Sequence, residues 1–317
     1  MTVTINGTGI ARDVRTHVTT QVTRLAARGV VPCLASILVG DDPASAVYIA
    51  AKRRAVREAG MRDVHRHLPS DATQDQVASV IDTLAADTAV SGILLQLPLP
   101  PQLSAATLID HIPVGKDVDG LTTAGAGLLA RGRTGLRPCT PIGVVALLDA
   151  EHVELKGSYV TIVGWGELVG RPLAQLLLHR GATVTVAHEH TTDLGAVTRG
   201  ADIVIVAAGV PGLIGREHIT PGTTVIDVGI HRTPGGLVGD VRAAELRGIA
   251  ERITPVPGGV GPMTIAMLLA NTLHAAEGNL RRTAEQRDHL GDDGPRTMAA
   301  STGHAIHAAA RPSRSAR

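Results

Sequence analysis

Tyr159-Val-Thr-Ile-Val-Gly164-Trp-Gly166-Glu-Leu-Val-Gly170 decides the fold class of this 317-residue chain. Tyr159 to Gly164 reads as a strand and Val169 to Arg180 as a helix, with a glycine turn between them. Glycines at such a turn let the backbone approach a pyrophosphate, and the helix N-terminus supplies amide donors and a favourable dipole. The spacing is GxGxxxG rather than GxGxxG, and a plain glycine turn would read the same way. The strand and helix alternation around it favours dinucleotide binding.

Outward from this turn the alternation continues in both directions. Downstream, Ala182 to Ala187, Asp202 to Ala208 and Thr223 to Val228 predict strands, and Gly261 to His274 a last apolar helix. Upstream, Thr140-Pro141 opens a helix to about Ala150. The first half predicts strands at Val31 to Gly40, Val64 to Leu68 and Ser91 to Leu97. Between them lie a helix from Asp42-Pro43 to Gly60 and one over Val77 to Ala86 begun by Thr73-Gln-Asp-Gln76, a capping-box pattern. Leu108 to His111 belong to a further short helix. The alternation predicts an α/β chain of two domains with parallel sheets. Gly291 to Arg317, with only Met298 and Ile306 as large apolar residues, reads as a disordered tail.

Composition narrows the function. Thirty basic and 29 acidic side chains give a formal net charge of +1, no basis for a nucleic-acid or anionic-membrane partner. Aromatics are 1%, Phe is absent, and Tyr48, Tyr159 and Trp165 are too few to stack single-stranded bases. The core must be aliphatic. Cys33 and Cys139 make neither a disulfide framework nor a cysteine zinc site, so a reducing compartment and no metal are expected. No secretory signal or membrane span is visible, and a cytoplasmic location is expected.

Several side chains could carry chemistry. Tyr48 and Lys52, four apart, share a helix face, and an amine shielded by a ring can serve in proton transfer; a snorkelling Lys beside a packed Tyr is the plain alternative. Gln96 is an amide inside Leu-Leu-Gln-Leu-Pro, where a buried polar group needs a partner or a use. Asp117 and Asp119 are two loop carboxylates, a pairing also common in turn caps. Glu189 lies 19 residues beyond Gly170. There an acidic group can accept from a ribose 2′-hydroxyl and repel a 2′-phosphate, or simply sit solvated in a loop. Pro255-Val-Pro-Gly-Gly-Val-Gly-Pro262 is a stiff loop with bare backbone for close ligand approach, or a connector.

Taken together these residues resemble the bifunctional methylenetetrahydrofolate dehydrogenase/cyclohydrolase family over roughly residues 3 to 280. The resemblance rests on Val39-Gly-Asp-Asp-Pro-Ala-Ser45 with Tyr48 and Lys52, on Gly92-Ile-Leu-Leu-Gln-Leu-Pro-Leu-Pro100, and on Lys116-Asp-Val-Asp-Gly120. It continues through Pro138-Cys-Thr-Pro141, Val169-Gly-Arg-Pro172, Val225-Ile-Asp-Val-Gly-Ile230 and Thr254 to Thr264 in the same order. It implies an N-terminal α/β folate-binding domain over 1–120, completed by a helix at 265–285, and a Rossmann-type domain over 121–264. The active site would lie in the cleft between them, in a homodimer joined through the Rossmann-type domains.

The implied reactions are oxidation of 5,10-methylenetetrahydrofolate with NADP and hydrolysis of the methenyl product to 10-formyltetrahydrofolate. By position, Lys52 matches the family's catalytic lysine, Gln96 the residue that holds and tunes it, and Tyr48 the ring packed on the pterin. Asp119 would accept from the pterin's amino-pyrimidine edge, and Pro257, Gly258 and Gly259 would line the folate cleft. Gly164, Trp165, Gly166 and Ile230 would contact the dinucleotide. The chain departs from the family there: Gly164-Trp165-Gly166 stands where Gly-Arg-Ser is common, Glu189 where Ser or Arg often meets the 2′-phosphate, and His231 where Asn is usual. These departures point to NADP preference weakened or switched to NAD. They also keep two alternatives open, a cyclohydrolase with impaired dinucleotide use and a non-catalytic folate-binding paralogue.

Overall fold

The chain enters as a short strand, β1 (Val3–Thr4), and a 20-residue helix, α1 (Gly7–Ala26). Neither has a counterpart in the sequence pattern, because α1 is rich in Thr, which competes for backbone hydrogen bonds. In the computed structural model Thr16, Thr19, Thr20 and Thr23 each donate to the carbonyl four residues back, so their hydroxyls are satisfied within the helix. Asn6 caps the start by accepting from the Gly9 amide at 3.0 Å. The structure describes the backbone of residues 1–291 and the side chains of 1–280. The tail expected over 291–317 lies, from residue 292 on, outside the described residues.

A three-stranded parallel sheet follows, with β2 (Cys33–Val39) between β3 (Arg62–Leu68) and β4 (Gly92–Leu95). Every residue of β2 is buried, as its uninterrupted apolar run requires for a central strand covered on both faces. Helix α2 (Pro43–Glu58) starts with Pro in its first turn and Asp42 accepting from the Ser45 amide at 2.7 Å. Helix α3 (Gln74–Ala86) carries both halves of the Thr73/Gln76 capping box. Ile37, Ile81, Ile93 and Leu108 lie in one buried cluster of this sheet and its helices.

Three helices, α4 (Ala105–Asp110), α5 (Thr123–Ala130) and α6 (Cys139–Ala150), lead to a six-stranded sheet. Its strands are β5 (Tyr159–Val163), β6 (Thr183–Ala187), β7 (Ile203–Val206), β8 (Thr224–Asp227), β11 (Arg252–Ile253) and β1, with α7 (Gly170–His179) and α8 (Leu194–Thr198) between them. The order is β1-β11-β8-β7-β5-β6, all parallel. β6 and β7 flank β5 on opposite sides, so the chain reverses direction across the sheet between β5 and β7. The crevice beyond the carboxyl ends at that point is where open α/β sheets bind ligands. A hairpin of β9 (His231–Thr233) and β10 (Gly236–Val238) projects after β8.

The last helix, α9 (Val260–Gly291), runs past both His274, where the apolar pattern ends, and residue 285, the end the resemblance implies. Beyond His274 the continuation is rich in Ala, Glu, Gln and Arg, which favour helix without an apolar face. Residues Met1–Asn279 form one unit that contains both sheets, and Leu280–Arg317 form a second, described here through Gly291. Among the described residues no helix is long and apolar enough to cross a membrane.

Candidate active site

Helix α2 and the turn after β4 bring the first group of side chains together. Lys52 Nζ donates to Gln96 Oε1 at 3.1 Å and stands 4.6 Å from the centre of the Tyr48 ring. Lys52 is 5% exposed and Gln96 6%, so a cation is held in a nearly dry place by one amide and an aromatic face. Gln96 is itself fixed, its Nε2 donating to the Leu97 carbonyl at 2.5 Å and its backbone amide to Ile37 at 2.9 Å. The amide in an apolar run thus has both a partner and an orientation.

The two loop carboxylates divide the work between them. Asp117 is buried and accepts from the Gly120 amide at 2.9 Å and the Thr122 amide at 2.7 Å, which makes it the cap of its own turn. Burial raises its carboxyl despite those bonds. Asp119 is left free of that task and lines a cavity of about 240 Å³ with Tyr48, Lys52, Gln96, Cys139 and Thr264. Burial, followed by the charge of Asp119 and the Cys139 thiol, pushes the Tyr48 phenol up to about 12. Burial and then Asp119 also raise the Cys139 thiol. Tyr48 therefore stays a neutral phenol beside this carboxylate.

Three residues outside the sequence expectation help build this cavity. Thr264 on α9 meets Thr140 on α6 hydroxyl to hydroxyl at 3.0 Å. Asn271, 7% exposed, donates from Nδ2 to the Val118 and Arg137 carbonyls, each at 2.8 Å, and so ties α9 to the loop that carries Asp119. A lone amide within Met-Leu-Leu-Ala-Asn-Thr-Leu carried the same signal as Gln96, a polar group that must find partners.

Tyr48 also lines a second cavity, of about 610 Å³. Its far wall is the Pro255 to Pro262 loop, including Pro257, Gly258 and Gly259, together with Asp227, Val228, Gly229 and Ile230. Asp227 accepts from the backbone amides of Gly229, Asp240 and Val241, each at 3.0 Å. Burial outweighs these bonds and pushes its carboxyl up to about 6. Asp240 accepts from the Ala208 and Gly209 amides at 2.7 and 2.8 Å, and His231 Nε2 lies 2.6 Å from its other oxygen. His231 is thereby tied through Asp240 to the loop at the end of β7.

The third cavity, about 740 Å³, lies at the carboxyl ends of β5, β6 and β7, where the strand order reverses. Gly164 has φ +114°, and a Cβ there would meet the Ala207 carbonyl oxygen at 2.2 Å. A Cβ on Gly170 would meet the Gly164 oxygen at 2.0 Å, whereas Gly166 faces open space. The first and third glycines close the turn and the middle one leaves it bare, an arrangement that fits a pyrophosphate against the helix start. Trp165, 42% exposed, and Glu189 line this cavity, with the Arg171 guanidinium 5.8 Å from the indole ring and donating to the Trp165 carbonyl at 3.2 Å. Four of the five expected cofactor residues meet here; Ile230, 56% exposed, lines the cavity shared with Tyr48 instead.

Comparison with known proteins matches residues 5–119 to the catalytic domain of tetrahydrofolate dehydrogenase/cyclohydrolase and residues 138–280 to its NAD(P)-binding domain. The chain is 60% identical over 276 residues to bifunctional protein FolD 2 of Frankia casuarinae, covering 87% of this chain and 96% of that one. A crystal structure of the bifunctional FolD methylenetetrahydrofolate dehydrogenase/cyclohydrolase from Campylobacter jejuni superimposes with a TM-score of 0.86 at 42% identity, over 88% of this chain and 99% of the other. The Trypanosoma brucei enzyme, solved with NADP and an inhibitor, gives 0.85 at 38% identity over 88% and 99%.

Proposed function

The chain belongs to the tetrahydrofolate dehydrogenase/cyclohydrolase family, and from that premise we propose that it oxidises 5,10-methylenetetrahydrofolate and hydrolyses the methenyl product to 10-formyltetrahydrofolate. The observation that carries this reading is the buried Lys52–Gln96 hydrogen bond with Tyr48 and Asp119 around one cavity. A non-catalytic folate binder has no use for a desolvated ammonium held in place by a fixed amide.

Residues 1–120 with the helix over 265–285 form the folate unit in this reading, and 121–264 the dinucleotide unit. Asp119 accepts from the amino-pyrimidine edge of the pterin, a charge-assisted bond in a half-buried setting. Tyr48 packs its neutral ring on the pterin and sets the bridge carbon toward Lys52, while Pro257, Gly258 and Gly259 supply the opposite wall. Gly164, Trp165 and Gly166 would hold a dinucleotide at the start of α7 and Ile230 would contact it from the shared cavity; that group would supply the acceptor for the hydride leaving the bridge carbon. In the hydrolysis, water adds to the methenyl carbon, the bond from that carbon to one pterin nitrogen breaks, and one proton is released; Lys52 handles the proton transfers and Gln96 fixes its position.

An NAD(P)-binding domain is present, and NAD preference is the finer reading. Glu189 sits at the end of β6, where it can accept from a ribose 2′-hydroxyl and would repel a 2′-phosphate. Arg171, the guanidinium of that cavity, is already engaged by the Trp165 carbonyl. We assign the protein to the cytoplasm, on its two buried free cysteines, and to a homodimer through the dinucleotide units, on family resemblance.

The test is to mix the purified protein with 5,10-methylenetetrahydrofolate and either NAD or NADP and follow methenyl and reduced-cofactor absorbance. Turnover with NAD well above NADP is expected. Turnover mainly with NADP keeps the reactions and discards the role of Glu189. Hydrolysis of added methenyl substrate without turnover by either dinucleotide would replace this reading with a cyclohydrolase. No reaction at all would leave a folate-binding paralogue.

A further inference from the structure

Hydride transfer needs two cavities to keep a fixed distance from each other, whereas hydrolysis needs only one. Ala207, Ala208 and Val210 at the end of β7 line the dinucleotide cavity, and Gly229 and Ile230 after β8 line the cavity shared with Tyr48. Between these two walls stands one carboxylate, Asp240, wholly buried. Its Oδ2 accepts from the Ala208 and Gly209 amides at 2.7 and 2.8 Å, and its Oδ1 lies 2.6 Å from His231 Nε2. A carboxylate oxygen can only accept, so the imidazole is the donor. One oxygen holds the dinucleotide wall, and the other holds the residue that follows Ile230.

The carboxylate has no room to shift. A Cβ on Gly229 would overlap Asp240 Oδ1, so the backbone of the second wall presses on the same oxygen that His231 contacts. The Asp240 amide donates to Asp227 Oδ1 at 3.0 Å, which fixes its own backbone to the end of β8. His231 is held differently. It stands on β9, which among the described residues pairs only with β10, so no ladder hydrogen bond ties it to the six-stranded sheet. The bond to Asp240 crosses that gap, and the His231 side chain is only 21% exposed. A charge-assisted bond to a buried carboxylate is short and about twice as strong as a neutral one, which makes it a stiff link.

Resting on the dehydrogenase reading above, we propose that His231 is a positioning residue for the hydride step. Through Asp240 it holds Ile230 and the end of β7 at one separation, and so sets the approach of the dinucleotide to the folate bridge carbon. Reacting atoms must come within about 3 to 3.5 Å, and a displacement of about 1 Å can cost a hundredfold in rate. The hydrolysis has no such requirement. Lys52, Gln96 and Asp119 line the smaller cavity, and neither His231 nor Asp240, nor the Ala208 and Gly209 amides, belongs to its wall.

The experiment measures both reactions in each preparation of the wild type, His231→Leu, His231→Ala and His231→Gln. Oxidation is followed at saturating dinucleotide with hydrogen or deuterium on the bridge carbon, and hydrolysis with added methenyl substrate. The readout is the ratio of the two kcat values, so a partly unfolded variant does not distort it. Leu and Ala both remove the donor, one keeping bulk and the other leaving space, and either suffices where its counterpart does not fold. Gln restores a neutral donor at nearly the reach of Nε2. Loss of the donor is expected to lower the ratio of oxidation to hydrolysis about tenfold, with KM for folate and dinucleotide little changed and the deuterium effect enlarged. His231→Gln should recover most of the ratio. A wild-type ratio in both donorless variants, a rise in dinucleotide KM at unchanged kcat, or His231→Gln behaving like His231→Leu would overturn this assignment and leave the dehydrogenase reading standing. A wild type that hydrolyses the methenyl substrate but transfers no hydride would overturn the dehydrogenase reading itself, and this assignment with it.

Discussion

Lys52 and Gln96 stand 44 positions apart in sequence and 3.1 Å apart in space, Nζ donating to Oε1, and both are almost wholly buried. Removing the acceptor leaves a desolvated ammonium without a partner, whereas removing both leaves an apolar contact. Gln96→Leu should therefore lower the unfolding free energy by about 2 kcal/mol. The double variant Lys52→Met/Gln96→Leu should regain most of that stability while methenyl hydrolysis stays lost in both. Urea unfolding alongside a hydrolysis assay checks this. A double variant no more stable than Gln96→Leu would show that the amide acts through something other than the lysine.

Tyr48 supplies a pH signature. Burial first, then Asp119, pushes its phenol up to about 12 from an ordinary 10, so the folded protein holds that proton more tightly than the unfolded chain. The stability this contributes is whole below about pH 10 and is lost as pH rises toward about 12, because the unfolded chain ionises first. Between about pH 9 and about pH 11 the wild type should lose about 1 kcal/mol more than Tyr48→Phe, after allowance for solvent screening at a half-buried ring. Parallel pH profiles for the two proteins would contradict a raised phenol.

Strand-to-helix alternation made the two parallel sheets legible, since fully buried strands such as Cys33–Val39 read as unbroken apolar runs. What escaped was structure whose stability is tertiary. Helix α1 has a sequence crowded with Thr, and β1 and β11 are two residues long, so each exists through its neighbours rather than its own pattern. In the site, Gln96 announced itself as an amide in an apolar run, whereas Asn271, which carries the same kind of signal, was missed. The split between Asp117 as a turn cap and Asp119 as a cavity residue could not be read from Asp-Val-Asp, because it depends on which carboxylate faces the Gly120 and Thr122 amides.

Asn271 ties the loop of Asp119 to α9 through the Val118 and Arg137 carbonyls. Asn271→Ala takes a donor from the Arg137 carbonyl and leaves the Val118 carbonyl with only the weak Cys139 thiol, and should cost about 1 kcal/mol of stability. Because Asp119 sits next to Val118, the same variant should raise the KM for folate more than it lowers kcat. An unchanged KM in a destabilised variant would confine Asn271 to a purely structural role.

Glu189 and Gly170 act on the same cavity for different physical reasons, and their variants should separate specificity from binding. Trp165, the only tryptophan of the chain, lines that cavity, so its fluorescence reports dinucleotide binding directly. Gly170→Ala places a methyl group on the Gly164 carbonyl oxygen and should weaken NAD and NADP together. Glu189→Gln keeps the shape and removes one negative charge facing the ribose. It should improve kcat/KM for NADP relative to NAD by about fivefold, the worth of roughly 1 kcal/mol of repulsion between charges near a protein surface. The gain should diminish as salt is added, since the carboxylate is exposed and screened. A Glu189→Gln enzyme with an unchanged cofactor ratio at low salt would mean that the carboxylate points away from the ribose, and that selection rests on Trp165 and Gly166 instead.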